Sequence, residues 1–158
     1  MKKYLILTFM PLILCGCVIY IGCSSVKDVG HWVKLRDHDT IDCYFRNGDS
    51  IYCGFTLDAM KGVDVNTFEV CDDKNRTSMF DSYARDKDNV YFPIYVICVE
   101  SSDIRVGCYA EEYKMDYVFR NRFKYLGDGY ATDCSTLYYR GQEVAWQDSI
   151  LHRNERKK

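Results

Sequence analysis

Proline is scarce in this 158-residue sequence: Pro11 lies near the start and Pro93 stands alone after it. A surplus of positive charge is missing too. Lys and Arg number 21 against 23 Asp and Glu, a net charge of −2, and losing Lys2 and Lys3 with a leader would make it −2 − 2 = −4. That balance lacks the basic face that nucleic-acid binding requires. Signatures of catalysis are absent as well: there is no Gly-x-Ser-x-Gly, no His-Glu-x-x-His and no P-loop. Glu111 and Glu112 are adjacent carboxylates, but on a strand they would point to opposite faces. No Cys-x-x-Cys pair occurs between Cys43 and Cys134, and His31, His38 and His152 fall at no ligand spacing, which argues against zinc. Asp86-Lys87-Asp88-Asn89 lacks the alternating acids, the glycine and the closing Glu of a calcium loop, and reads as a solvated turn. The sequence therefore predicts no metal, no cofactor and no nucleic-acid partner.

What is present begins with a leader. Lys2 and Lys3 form a positive n-region, and Tyr4 to Leu14 an apolar h-region broken by Thr8 and Pro11. Small residues and cysteines follow, as in a cleaved export signal. Leu14-Cys15-Gly16-Cys17 resembles the lipobox of bacterial lipoproteins, which would make Cys17 the lipidated N-terminus. Tyr20-Ile21-Gly22-Cys23 is the alternative, with a worse residue three before the cysteine but a more polar start to the mature chain. Cys17 is preferred for the length of its h-region. An uncleaved apolar helix from Tyr4 to Gly22, near the minimum that spans a bilayer, remains open. The expected division is a signal peptide over 1–16, a tether over 17–30, one β-repeat domain over 31–146 and a charged tail over 147–158.

Behind an export signal, cysteines default to disulfides. Cys43 and Cys53 are ten apart across a predicted hairpin, as are Cys98 and Cys108, and a loop centred near Gly48 would set the first two opposite each other. With Cys23 lipidated, six cysteines remain in the fold; with Cys17 lipidated, seven remain.

An internal repeat is the most informative feature. At an offset of 55, Cys43 meets Cys98, Cys53 meets Cys108, Met60 meets Met115, Asn66 meets Asn121 and Phe68 meets Phe123. At an offset of 47, Tyr83-Ala84-Arg85-Asp86 meets Tyr130-Ala131-Thr132-Asp133, and Val90-Tyr91-Phe92 meets Leu137-Tyr138-Tyr139. One insertion around Asn75 to Asp81 reconciles the two offsets. The pattern predicts two copies, about 41–97 and 98–146, in a period typical of repeat arrays.

Each copy reads as hairpins. Asn47-Gly48 is a strong turn signal between Ile41–Phe45 and Ile51–Phe55. Asp64 to Phe68 reads as a turn that buries its Phe. The run from Val90 to Val99 is too long for one flat strand, with Pro93 at an edge or bend. Asp116–Leu126 and Leu137–Trp146 are the corresponding strands of the second copy. With fourteen Tyr and eight Phe, the fold class expected is mainly β, antiparallel hairpin repeats around one continuous core.

These residues resemble the DKNYY family of bacterial proteins, named for repeated Asp-Lys-Asn-x-x-Tyr-Tyr-like units. Tyr83 to Phe92, with Asp86, Lys87 and Tyr91, is similar to the naming motif, and Lys61 to Val70 to the segment between units. The second copy keeps Tyr130, Asp133 and Tyr138 but departs at Cys134-Ser135-Thr136. The resemblance covers about 51–144; it implies a β-repeat architecture and no established activity.

The function expected is that of an envelope lipoprotein held to a membrane by its lipid, a non-enzymatic module that binds another envelope protein or has a structural role. Two other readings stay open. One is an envelope enzyme or thiol-active protein using Cys71 or Cys134, the cysteines that the hairpin pairing leaves out. The other is a carbohydrate binder using exposed Tyr.

Overall fold

The computed structural model describes residues 26–55, 58–101 and 104–145. Their architecture is mainly β, as the alternating aromatic and β-branched runs require. Twelve strands succeed one another: β1 (Trp32–Lys34), β2 (Thr40–Ile41), β3 (Tyr44–Asn47), β4 (Ser50–Cys53), β5 (Glu69–Cys71), β6 (Ala84–Arg85), β7 (Val90–Ser101), β8 (Ile104–Lys114), β9 (Lys124–Gly127), β10 (Tyr130–Thr132), β11 (Leu137–Tyr139) and β12 (Gln142–Val144). Short 3-10 turns at Val65–Thr67 and Arg120–Arg122 precede β5 and β9. Every pairing is antiparallel, in sheets ordered β1-β5-β6-β7-β8, β12-β11-β10-β9 and β2-β3-β4.

Several predicted strands are shorter than expected, each for a local reason. Ile41–Phe45 is not one strand, because Asp42 takes a left-handed φ of 55° and splits β2 from β3. Within Asp116–Leu126 the chain makes its second 3-10 turn, so only Lys124 onward is strand. Leu137–Trp146 is a hairpin: Arg140 (φ 49°) and Gly141 (φ 75°) reverse the chain between β11 and β12. Trp146 lies outside the described residues. The long run at Val90 is a single strand, and its pairing with β8 shifts register between Tyr91 and Tyr95, on either side of Pro93. Proline cannot donate to the ladder, so the irregularity falls there. The expected copy boundary at 97–98 falls within this strand.

Among the described residues, the buried side chains form two clusters in place of one continuous core, one on each face of β5–β7. Successive strand residues point to opposite faces. Val70, Ala84 and Tyr91 accordingly join Leu35, Tyr44, Ile51 and Phe68 in one cluster, and Cys71, Tyr83, Val90 and Phe92 join Phe123, Tyr125 and Tyr138 in the other. Phe68 sits between Tyr44 and Tyr91, with ring centroids at 5.5 and 5.6 Å. Tyr83 packs on Phe92 at 4.7 Å and on Phe123 at 5.5 Å. Fully burying such a side chain stabilises by roughly 1.5–3 kcal/mol, so the six tyrosines buried among the described residues, Tyr44, Tyr83, Tyr91, Tyr125, Tyr130 and Tyr138, hold the fold together.

The end of the expected tether belongs to the folded body. Val29 N donates to Tyr125 O at 2.9 Å, Tyr125 N to Asp28 Oδ1 at 3.1 Å, and Lys124 Nζ to Val26 O at 2.6 Å. Residues 26–30 thus run along β9. The signal segment, the remainder of the tether and the tail at 147–158 lie outside the described residues.

Candidate functional site

The motif residues build two buried carboxylate turns of the same design. Asp86 is 1 % exposed and Asp133 is fully buried. Asp86 Oδ1 accepts the backbone N–H groups of Asp88 (2.8 Å) and Asn89 (2.7 Å). Its Oδ2 accepts Asp64 N at 2.8 Å and the Tyr91 hydroxyl at 2.7 Å. Asp133 Oδ1 accepts Ser135 N (3.0 Å), Ser135 Oγ (2.8 Å) and Thr136 N (2.9 Å). Its Oδ2 accepts Phe119 N at 3.1 Å and the Tyr138 hydroxyl at 3.3 Å. In each case one oxygen closes the turn that follows the Asp. The other fastens the entrance to the preceding 3-10 turn.

Burial alone would raise both carboxyls. The hydrogen bonds, led by Asp64 N at Asp86 and by Thr136 N at Asp133, outweigh it and hold both below the ordinary carboxylate range. Burial, and then the Asp86 carboxylate, push the Tyr91 phenol up. Burial raises Tyr138 to about 12. Groups held ionised or neutral far from pH 7, with every donor already paired, are poor proton shuttles. Asp86 also has no lone pair to spare for a cation.

A third such pair escaped the sequence reading. Asp39 and Tyr44 stand five apart, as do Asp86 and Tyr91 and Asp133 and Tyr138, and the three pairs recur every 47 residues. The first pair does not form the clamp: Asp39 Oδ2 accepts Arg36 N, and the Tyr44 hydroxyl donates to Ser82 O. The constant spacing was the available signal, masked by the changed residues between.

Lys87 points outward and pairs with Asp64 at 2.8 Å. The Asp64 carboxylate raises the Lys87 ammonium value, and Lys87 in turn lowers that of Asp64. The open, polar cleft here, edged by Asp49, Asn66 and Asp88, therefore has its central charges already neutralised. Tyr83 is a core residue whose hydroxyl donates to Gly129 O and accepts from Gly141 N at 2.9 Å. Tyr130 stacks against Tyr139 with centroids at 4.6 Å.

The cysteines divide into distinct environments. Cys98 and Cys108 lie directly opposite each other on β7 and β8 and are joined. The expected Cys43–Cys53 bond is not formed: both are buried free thiols with sulfurs 3.5 Å apart. The hairpin register explains this. Its two-residue loop is Gly48-Asp49, closed by Asn47 opposite Ser50, so Cys53 faces Tyr44 rather than Cys43. Gly48 at φ 58° takes the first loop position that primed turns require. Cys71 is buried, and desolvation pushes its thiol to about 12. Cys134 is a half-cystine and not a thiol. The two lipidation candidates, Cys17 and Cys23, lie outside the described residues.

Comparisons with protein-family models, with curated proteins and with solved structures returned no match.

Proposed function

We propose that this chain is an envelope lipoprotein, anchored through a lipid on Cys17 or Cys23, whose β body is a non-enzymatic module that engages another envelope protein or has a structural role. The leader and lipobox-like segment support the anchor, and the repeated Asp–Tyr turns support kinship with the DKNYY family. The observation that carries the non-enzymatic reading is the state of Asp86 and Asp133. These are the two buried acids that recur in the motif, and both are engaged by donors of the chain itself: three backbone N–H groups each, the Tyr91 or Tyr138 hydroxyl, and at Asp133 also Ser135 Oγ. The thiol-active reading loses support from Cys71, since a reactive cysteine is exposed with a depressed pKa.

The test is the intact mass of the membrane-extracted protein, with and without reduction before alkylation. The expected result is a chain cut before Cys17 or Cys23 and carrying acyl mass. An unprocessed chain, or a cut chain without lipid, overturns the anchor. In vivo cross-linking of the lipidated form should then capture a discrete protein neighbour. Turnover of an envelope substrate by the purified chain would overturn the non-enzymatic reading.

A further inference from the structure

The two 3-10 turns share a backbone plan and carry opposite surfaces. At the offset of 55, Gly62 corresponds to Tyr117, Asp64 to Phe119, Thr67 to Arg122 and Glu69 to Lys124. Residues 62–69 thus hold two acids and no base, whereas 117–124 hold three bases and no acid. The first turn has the conformationally apt residues. Gly62 takes φ 72° without a side chain, and Asp64 caps the turn by accepting Asn66 N at 3.0 Å.

The second turn gives up both advantages. Tyr117 adopts φ 61°, which glycine tolerates and a tyrosine does not favour. Phe119 stands at the cap position and makes no side-chain cap. Neither ring gains burial in return: Tyr117 is 98 % exposed and Phe119 54 %. Arg122 is also exposed, with its guanidinium 5.4 Å from the Phe119 ring centroid. Local strain and an empty cap that present two rings to the outside call for something outside the chain to cover them.

The position of this surface identifies the occupant. Lys124, one 3-10 turn or about 10 Å of path beyond Phe119, holds the Val26 carbonyl. From Val26 back to Cys23 is three residues, and to Cys17 nine, at most about 10 Å or about 30 Å of extended chain. We infer that Tyr117, Phe119 and Arg122 form a membrane-facing surface that rests in the phospholipid headgroup layer, with the two rings at the interface and the guanidinium on a phosphate. The inference rests on the proposed lipid anchor and adds an orientation to it: β9 and its 3-10 turn face the bilayer. Tyrosine suits that layer because one end is apolar and the other wet, and arginine pairs with phosphate through a planar fork.

The test places the photoreactive residue p-benzoylphenylalanine at 117, 119 or 55 in the full chain, in native membranes. Phe55 is the control. It is 70 % exposed, and its N–H bonds Cys108 O, six residues or about 20 Å back along β8 from its end. Irradiation should give phospholipid-mass adducts at 117 and 119 several-fold above those at 55, and Arg122→Glu should reduce them. Adducts to protein at 117 and 119, or lipid adducts no more abundant than at 55, overturn the orientation. Intact mass on the same samples separates the two ideas. A lipidated chain without lipid adducts at 117 and 119 keeps its anchor and loses this surface. Strong adducts on a chain without acyl mass keep the surface and remove the anchor.

Discussion

Tyr91 donates its phenolic proton to the Asp86 carboxylate at 2.7 Å across five residues of chain, and Tyr138 stands in the same relation to Asp133. The pair ties the second residue of a strand, itself buried, to the turn that launches it. Asp86→Ala should therefore leave three backbone N–H groups and a buried phenol without their partner. The expected loss is about 3 kcal/mol or more, read from urea unfolding, and Asp133→Ala should behave alike. A loss under about 1 kcal/mol in either variant would mean that water satisfies the freed donors.

Acid should unfold the protein through the same two groups. Both carboxyls are depressed in the folded state, so their contribution is complete above the unfolded value of about 4 and disappears as pH falls through the folded values. Asp42 has the opposite sign. Burial raises it despite the Ser82 hydroxyl and Arg76, so its contribution is present at low pH and fades as pH rises. The net expectation is stability that falls steeply below pH 4 in wild type, with a much flatter acid limb in the Asp86→Asn, Asp133→Asn double variant. Equal acid limbs in the two proteins would refute the assignment.

The thiols should be silent until oxidised. Burial, and then each other's proximity, push the Cys43 thiol far up, and Cys71 is also raised. Native alkylation of Cys43, Cys53 and Cys71 should be slow, becoming fast in urea. A mild disulfide-forming oxidant should then join Cys43 to Cys53, removing two hydrogens and linking their peptides, because 3.5 Å between the sulfurs needs only a small approach. Rapid native labelling at Cys71 would instead restore the thiol-active reading.

Tyr117→Gly should stabilise the isolated protein. Relief of the left-handed φ is worth about 1–2 kcal/mol, reduced by the extra freedom glycine gives the unfolded chain. A gain of about 0.5–1 kcal/mol is expected, measured as a raised Tm. A destabilised variant would show that the exposed ring makes contacts that its 98 % exposure denies.

Gly54→Ala should do the reverse. A Cβ there would stand 2.5 Å from the Cys108 carbonyl and 2.7 Å from Tyr109 Cα, at a φ of 77°. Gly54 bridges the first hairpin to β8. The substitution should cost more than about 2 kcal/mol and loosen that hairpin in hydrogen exchange.

The sequence by itself determined the mainly β class, the hairpin turn at Gly48 and the position of the motif turns. Each depends on local chemistry: glycine where φ must be positive, Asp where backbone donors need an acceptor, and period-two alternation of apolar residues. Strand lengths were misjudged where a single left-handed residue, Asp42 or Arg140, broke an apolar run, since neither residue type announces that conformation. Only the tertiary structure decided that β5–β7 bury both faces, that the cores are two, and that residues 26–30 dock on β9. Those outcomes depend on which distant strands meet, through pairings such as Trp32 with Cys71, and no local propensity encodes a partner nearly forty residues away. The same holds for the thiols. Ten residues of spacing suggested a bond between Cys43 and Cys53, and a loop offset by one position in the register left them as close, unjoined neighbours.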